Sequence, residues 1–232
     1  GGDDLYVGGV YNDALDLALR VSKDFDSGGR FSIVALSALS ERGLRSGTTQ
    51  EVFRLRGDKL YNPTWGNQAG KVRNSRTRED KIPFVMMSYS QPIGSSTRML
   101  LSLGGDYGER NYRNLGWYNA MTPRPDNYRY LPSYYYSEQL ASQVEKVWRA
   151  GDETYTQVNW DELYEQNRIS STGAVYALEG RVERIANASL WLGFHSDISQ
   201  NLSLDYGLRV KYEDSRNFKR MEDLLGALYL RD

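Results

Sequence analysis

The chain has 232 residues, with 29 Lys plus Arg against 30 Asp plus Glu and a single His, for a net charge of −1. So balanced a charge lacks the cationic surplus of a general nucleic-acid binder, and no nucleic-acid partner is expected. The absence of Cys excludes disulfides, thiolate chemistry and Cys-ligated zinc, and His195 alone cannot build a multi-His metal site. No window holds eighteen apolar residues in a row, which excludes a helical membrane span, whereas 18 Tyr and 22 Gly suit a β-protein with amphipathic strands. The first residue is Gly1 and no hydrophobic leader follows, so the chain reads as a processed or excised piece.

Alternation dominates from the start. Leu5, Val7, Tyr11, Leu15, Leu17, Leu19 and Val21 share one parity, broken by Gly9 and Asp13, and alternate with Asp16, Arg20 and Ser22. This predicts a strand of about seventeen residues, roughly 55 Å long. Asp26-Ser27-Gly28-Gly29 reads as a tight turn, and Phe31-Ser32-Ile33-Val34-Ala35-Leu36 as the returning strand.

A first long connection spans about 40–80. Up to residue 78 it carries Arg42, Arg45, Arg54, Arg56, Lys59, Lys71, Arg73, Arg76 and Arg78 against only Glu41, Glu51 and Asp58. That surplus fits either an anionic ligand or lipid phosphates at an outer surface, or simply a solvated loop. Within it, Val52-Phe53-Arg54-Leu55-Arg56 reads as a strand extension and Tyr61-Asn62-Pro63-Thr64-Trp65-Gly66-Asn67 as a turn.

A second hairpin joins Val85-Met86-Met87-Ser88-Tyr89 through Gly94-Ser95-Ser96 to an alternation of Met99, Leu101, Leu103, Gly105 and Tyr107. A second long connection, about 108–172, follows. Three of the six prolines and seven of the tyrosines fall between Tyr112 and Tyr136. Pro restricts such a loop, and Tyr offers a flat face and a hydroxyl suited to sugars or peptides. Trp117, Tyr118, Arg124, Tyr128, Arg129, Tyr130, Tyr134 and Tyr135 are therefore the candidate ligand-binding residues. The same tyrosines would also serve to brace the loop, or to form an interfacial aromatic girdle. Beyond them, 137–149 has Leu140, Val144, Val147 and Trp148 at helical spacing between Ser137 and Gly151, and Asn159-Trp160-Asp161-Glu162 resembles a capping box.

The third hairpin runs through Ala174, Tyr176, Leu178, Gly180, Val182, Ala186, Ala188, Leu190, Leu192 and Phe194. It turns at 196–200 and returns through Leu202, Leu204, Tyr206, Leu208, Val210 and Tyr212. A last helical patch is expected at 220–230, where Met221, Leu224, Leu225 and Leu228 would share a face.

Short turns at one end and long loops at the other are the asymmetry of an outer-membrane barrel. A soluble β-sandwich binding module, using the same tyrosines for carbohydrate, is the alternative. The strands are long for a sandwich, and Asp205, Arg209, Lys211, Arg181 and Glu183 on the polar parity suit a watery lumen. The expected fold is all-β: an antiparallel meander of about six long strands from a large transmembrane β-barrel, in one barrel domain, with short helices in its long loops. Six strands are too few to close such a barrel, so membrane-spanning strands here would belong to a larger whole. No catalytic constellation stands out. His195 has no nucleophile elbow near it, and Leu103-Gly104-Gly105-Asp106-Tyr107-Gly108 follows a strand without opening a helix.

Several strings resemble a known family. They are Tyr61-Asn62-Pro63 with Trp65-Gly66, Arg73-Asn74-Ser75-Arg76, Asn114-Leu115-Gly116-Trp117-Tyr118-Asn119-Ala120, and Pro123-Arg124-Pro125-Asp126 followed by Tyr128-Arg129-Tyr130-Leu131-Pro132-Ser133-Tyr134. Val158-Asn159-Trp160-Asp161-Glu162-Leu163-Tyr164 and Leu224-Leu225-Gly226 complete the set. Together they are similar to TonB-dependent outer-membrane receptors of the Bacteroidetes type. The resemblance implies a barrel of about 22 strands closed by an N-terminal plug. It also implies import of a large nutrient, such as an iron chelate, corrinoid, glycan or peptide, with energy delivered by TonB. Its partners would be outer-membrane lipid, the remainder of the barrel and plug, TonB through an N-terminal part, and the nutrient ligand. It implies no catalytic residues and no cofactor. Neither plug nor TonB box is found in this sequence, which therefore corresponds to a middle portion of the barrel.

Overall fold

A computed structural model of the chain describes residues 2–3 and 6–230. Its elements are β1 (Gly2–Asp3), β2 (Tyr11–Asp24), β3 (Arg30–Gly43), α1 (Gln50–Arg56), β4 (Trp65–Gln68), β5 (Lys71–Asn74), β6 (Thr77–Lys81) and β7 (Phe84–Ile93). They continue with β8 (Thr97–Trp117), α2 (Glu138–Ala150), α3 (Glu153–Thr156), α4 (Trp160–Ile169), β9 (Tyr176–Ser199) and β10 (Leu202–Asp223). Two single 3-10 turns, Tyr128–Tyr130 and Pro132–Tyr134, precede α2.

The fold is mostly one antiparallel sheet, and the all-β expectation holds at that level. Its order is β1-β2-β3, then β6 and β7, then β8-β9-β10. β6 and β7 act as one strand between β3 and β8, interrupted at Ile82 and Pro83, because the ring of Pro83 leaves no N–H to donate to the ladder. Six long strands result, joined at one end by three short turns; the third, expected at 196–200, is only Gln200-Asn201, because β9 stays paired as far as Ser199. Gly28, at φ +77°, closes the first of them, with hydrogen bonds between Phe25 and both Gly28 and Gly29.

Register aligns the two parities across all six strands. One face carries Leu15, Leu17, Leu19 and Val21, then Ile33, Ala35, Val85, Met87, Leu101, Leu103, Leu190, Leu192, Leu208 and Val210. This apolar face is left bare: Leu19 is 61% and Leu208 66% exposed. Asp205, Arg209, Lys211, Arg181 and Glu183 share the other face, as their parity requires. The second sheet is only the β4–β5 hairpin, whose turn residues Ala69 and Gly70 both have positive φ.

The buried core lies at the loop end instead. One cluster joins Val52, Leu55 and Tyr61 to Leu131 and Trp148. The other joins Val158, Trp160 and Leu163 to Tyr176 and Leu225. Helices α2 and α4 form where expected. Ser137 and Asn159 accept hydrogen bonds from the Leu140 and Glu162 amides, and Gly151 ends α2 in the left-handed region.

Four expectations are corrected. The first long strand begins at Tyr11 rather than Leu5; Leu5 lies outside the described residues, and the chain turns at Gly8-Gly9, where Gly9 (φ +72°) lies against the Trp65 ring with no room for a Cβ. Residues 52–56 are helical, not a strand extension. Thr49 caps the amide of Val52, Gly57 stops the helix, and burial of Val52 and Leu55 selects period 3.6 over period 2. Within 61–67 only the first half is a turn, since Trp65 already begins β4. Residues 220–230 are not helical. Pairing with β9 keeps them in strand to Asp223, whose carboxylate takes the Leu225 amide at 2.8 Å and starts a turn with Leu225 and Gly226 at positive φ. β3 and β8 run further and β6 starts earlier than their alternation predicts, while β9 starts at Tyr176 rather than Ala174, so the long connections become 44–76 and 118–175.

Candidate functional site

Both long connections fold together over one end of the sheet. Tyr61, from the first, donates its hydroxyl to the Thr156 carbonyl at 2.5 Å, and burial pushes that hydroxyl well above its ordinary pKa, so it stays a neutral donor. The Trp148 indole donates to the Tyr130 carbonyl at 3.0 Å, fixing α2 to the Pro-rich segment. Glu51 of α1 takes both the amide and the hydroxyl of Ser133, at 3.0 and 2.6 Å.

The eight sequence-derived residues divide into three places. Arg124, Tyr130 and Tyr135 line a cavity of about 890 Å³, bounded also by Met121, Val144, Val147, Leu163 and Tyr176. That volume lies within the usual range for small-molecule pockets. The Tyr130 and Tyr176 hydroxyls donate to the carbonyls of Thr122 and Met121, both at 2.8 Å, and burial raises both pKa values. They shape the 121–122 rim rather than offering free donors. Arg124 holds the buried Asp126 through two hydrogen bonds, 3.0 and 2.8 Å, which raise its own pKa.

Tyr128, Arg129 and Tyr134 stand outside the cavity. The Tyr128 and Tyr134 rings meet edge to face at 5.6 Å, Tyr134 meets Tyr135 in the same way, and the Arg129 guanidinium lies 5.7 Å from the Tyr128 ring centre. These rings brace one another, yet Tyr128 and Tyr134 remain about half exposed.

Trp117 and Tyr118 border a second cleft of about 600 Å³, with Arg76, Arg124, Arg181 and Lys219 around it. The Tyr118 hydroxyl donates to Glu179, which also binds Lys219 at 2.7 Å. Of the cations of this cleft the sequence singled out Arg124 as a ligand-binding candidate, Arg76 within the basic connection and Arg181 on the polar parity. It could not bring them together or add Lys219, because they come from two loops and two strands that alternation treats separately. The polar cavity residues Gln143, Glu162 and Gln166 were also missed. Their only signal was the polar stripe of α2 and α4.

One strap joins the loops to the sheet. Arg73 of β5 donates to Asp223 at the end of β10 (2.8 Å), its guanidinium lies 4.3 Å over the Trp160 ring, and Tyr164 donates to the same carboxylate at 3.4 Å. Burial opposes the charge on Asp223, but the hydrogen bonds of Arg73 and the Leu225 amide outweigh it and hold its carboxyl below the usual carboxylate range. With the folded pKa depressed, the strap contributes fully above the unfolded value near 3.9 and is lost as pH falls through the lower folded one. Acid titration monitored by Trp fluorescence should therefore show a transition below about pH 4 in the wild type. Asp223→Asn should lack that transition; an identical transition in both would place the titrating group elsewhere.

Among the described residues, no three His, Asp or Glu side chains converge to hold a metal ion. What the arrangement can do is hold a ligand, in a partly apolar cavity or in a cationic, aromatic-edged cleft. Comparison with known proteins returns no matching family model, no matching curated protein and no matching solved structure, so these features stand on their own geometry.

Proposed function

We propose that the chain is a stretch of the transmembrane β-barrel of an outer-membrane active-transport receptor, and that its loop end takes part in capturing a large nutrient imported with TonB-derived energy. The observation that carries this reading is the bare apolar face running in register across six strands. On β10 it extends from Leu204 to Tyr212, nine residues, close to the roughly 9–11 a tilted strand needs to cross a bilayer. Phe31, Tyr89, Phe194 and Tyr206 fringe it on the turn side and Tyr107 and Tyr212 on the loop side, like the aromatic girdles of such barrels. Among the described residues, β10 pairs only with β9 and almost all of β2 only with β3. In lipid those outer edges require further strands.

A soluble sandwich module would bury its strands against a second sheet, and the two-stranded β4–β5 hairpin is too small for that part. The test is fractionation of the full protein in a Gram-negative host. It should remain with the outer membrane through washes that strip peripheral proteins and should need detergent to stay monodisperse. Recovery as a monodisperse protein from detergent-free buffer would overturn the reading. Nutrient-dependent growth of a deletion strain then separates an importer from a purely structural membrane component.

A further inference from the structure

We propose that the polar face of the sheet, where it meets the loops, binds an anionic saccharide chain along a row of cations that only strand pairing assembles. Cross-strand pairing sets Arg42 opposite Arg78, Arg78 opposite Tyr112, Tyr112 opposite Arg181, and Arg181 opposite Lys219. The five residues come from five adjacent strands, stand at one height and point to one face. At the usual strand spacing the row is roughly 19 Å long.

Like charges directly opposite one another weaken a sheet, and this row holds two such pairs, Arg42 with Arg78 and Arg181 with Lys219. Compensation from the protein is partial. Arg78 binds Asp80 at 2.7 Å and Lys219 binds Glu179 at 2.7 Å, while Asp80 and Glu183 are also engaged by Arg110. Arg42 and Arg181 are exposed and make no ion pair among the described residues. The opposite face has the reverse character at this height. One residue further along each strand, the corresponding row reads Asp13, Glu41, Glu79, Asn111, Val182 and Phe218. At this height cations stand on one face and carboxylates on the other, while further along the strands the first face also carries Asp80, Glu179 and Glu183 and the second Arg113, Arg184, Arg216 and Arg220.

The β9–β10 end of the row opens into the cleft of about 600 Å³ described above, where Arg76 and Arg124 approach from the loops and Trp117 and Tyr118 supply flat surfaces. Cations in a line select a chain of anions over a single one, and the aromatic edge favours ring units over extended aliphatic acids. Carboxylated and sulfated saccharides share this chemistry. The assignment rests on the capture role proposed above, and it names the class of ligand taken.

The test is direct binding to the purified full protein in detergent, which is independent of where the protein fractionates. The probes are heparin as a sulfated chain, polygalacturonate as a carboxylated one and dextran as a neutral one. At low salt, at least one of the two anionic chains should bind and dextran should not. The Arg42→Gln/Arg181→Gln double variant should lose at least tenfold in affinity and show a shallower fall of affinity with salt, whereas Arg216→Gln on the other face should change neither. Binding of only one anionic chain supports the site and fixes its anion. If the double variant fails to fold, the single variants Arg181→Gln and Lys219→Gln give the same reading. Binding of neither chain, equal binding of dextran, or unchanged affinity in the folded variants would overturn the proposal. Loss of folded protein in every one of these variants would also overturn it, since the row would then hold carboxylates of the protein itself.

Discussion

Leu19→Arg is expected to destabilise the membrane-inserted protein by about 2–4 kcal/mol, whereas Ala18→Arg should change it by less than about 0.5 kcal/mol. The two residues are adjacent on β2 and differ in the face they present. Leu19 stands inside the apolar run of β2, between Leu17 and Val21, while Ala18 pairs with Leu36 on the polar side. An Arg in the middle of a lipid-facing band must be dragged out of water, whereas one facing a watery lumen need not be. In a soluble protein the ordering disappears, because Leu19 is already largely exposed and a surface Leu→Arg change is nearly neutral. Urea unfolding in lipid vesicles, read by the heat-dependent gel shift of folded barrels, measures the difference. Equal midpoints for the two variants would count against a membrane-spanning sheet.

Asn167→Asp should open the loop end while leaving the long strands paired. Asn167 is buried on α4, and its side-chain NH₂ donates to the carbonyls of Tyr176 (2.8 Å), Leu224 (2.8 Å) and Leu225 (3.2 Å). Its oxygen accepts from the amides of Val175 and Tyr176, both at 2.9 Å. One side chain thus joins α4, the start of β9 and the turn after β10. Aspartate keeps the acceptor but sets a carboxylate against three carbonyls that have lost their donor, at about 1–3 kcal/mol for each group left unsatisfied. Burial raises the pKa of the introduced acid, so the variant should regain stability as pH falls from 8 to 5. That is the opposite sign to Asp223. Limited proteolysis of the 118–175 connection at the two pH values checks both points, and wild-type resistance at pH 8 would refute them.

The strands were legible because period two survives solvent on one face and apolar contact on the other, and the first two turns carry Gly and Ser where the chain must reverse, whereas the third reverses at Gln200-Asn201. α2 and α4 were legible through Ser137, Asn159 and Gly151, which announce helix ends locally. α1 was not. Its seven residues fit either period, and the choice is made by Leu131 and Trp148, about eighty to ninety-five positions away. The end of β10 misled for the same reason, since Met221, Leu224, Leu225 and Leu228 have helical spacing but β9 holds Met221 in the ladder. Composition revealed the tyrosine-rich loop, yet it could not say that Tyr130 and Tyr135 would line a cavity while Tyr128 and Tyr134 stack outside it. Of the cationic row the sequence showed Arg42 and Arg78 within the basic surplus of the first connection and Arg181 on the polar parity, but the alignment of the row had no signature. Arg42 and Lys219 are remote in the chain, and only the register of four strand pairs brings them level.

The interruption at Ile82 and Pro83 has a mechanical consequence. Register is the same on both sides of it, with Lys81 opposite Glu109 and Phe84 opposite Asp106, so no residue is inserted or lost. Opposite the gap, Gly108 lies so close to the Lys81 carbonyl and the Ile82 backbone that a Cβ would have no room. The third of the six long strands is therefore soft at one height and stiff on either side. A load placed on the loop end passes that height through the unbroken neighbouring strands β3 and β8, while the Tyr107 amide, donating to the Pro83 carbonyl at 3.4 Å, keeps the interrupted strand tied to β8.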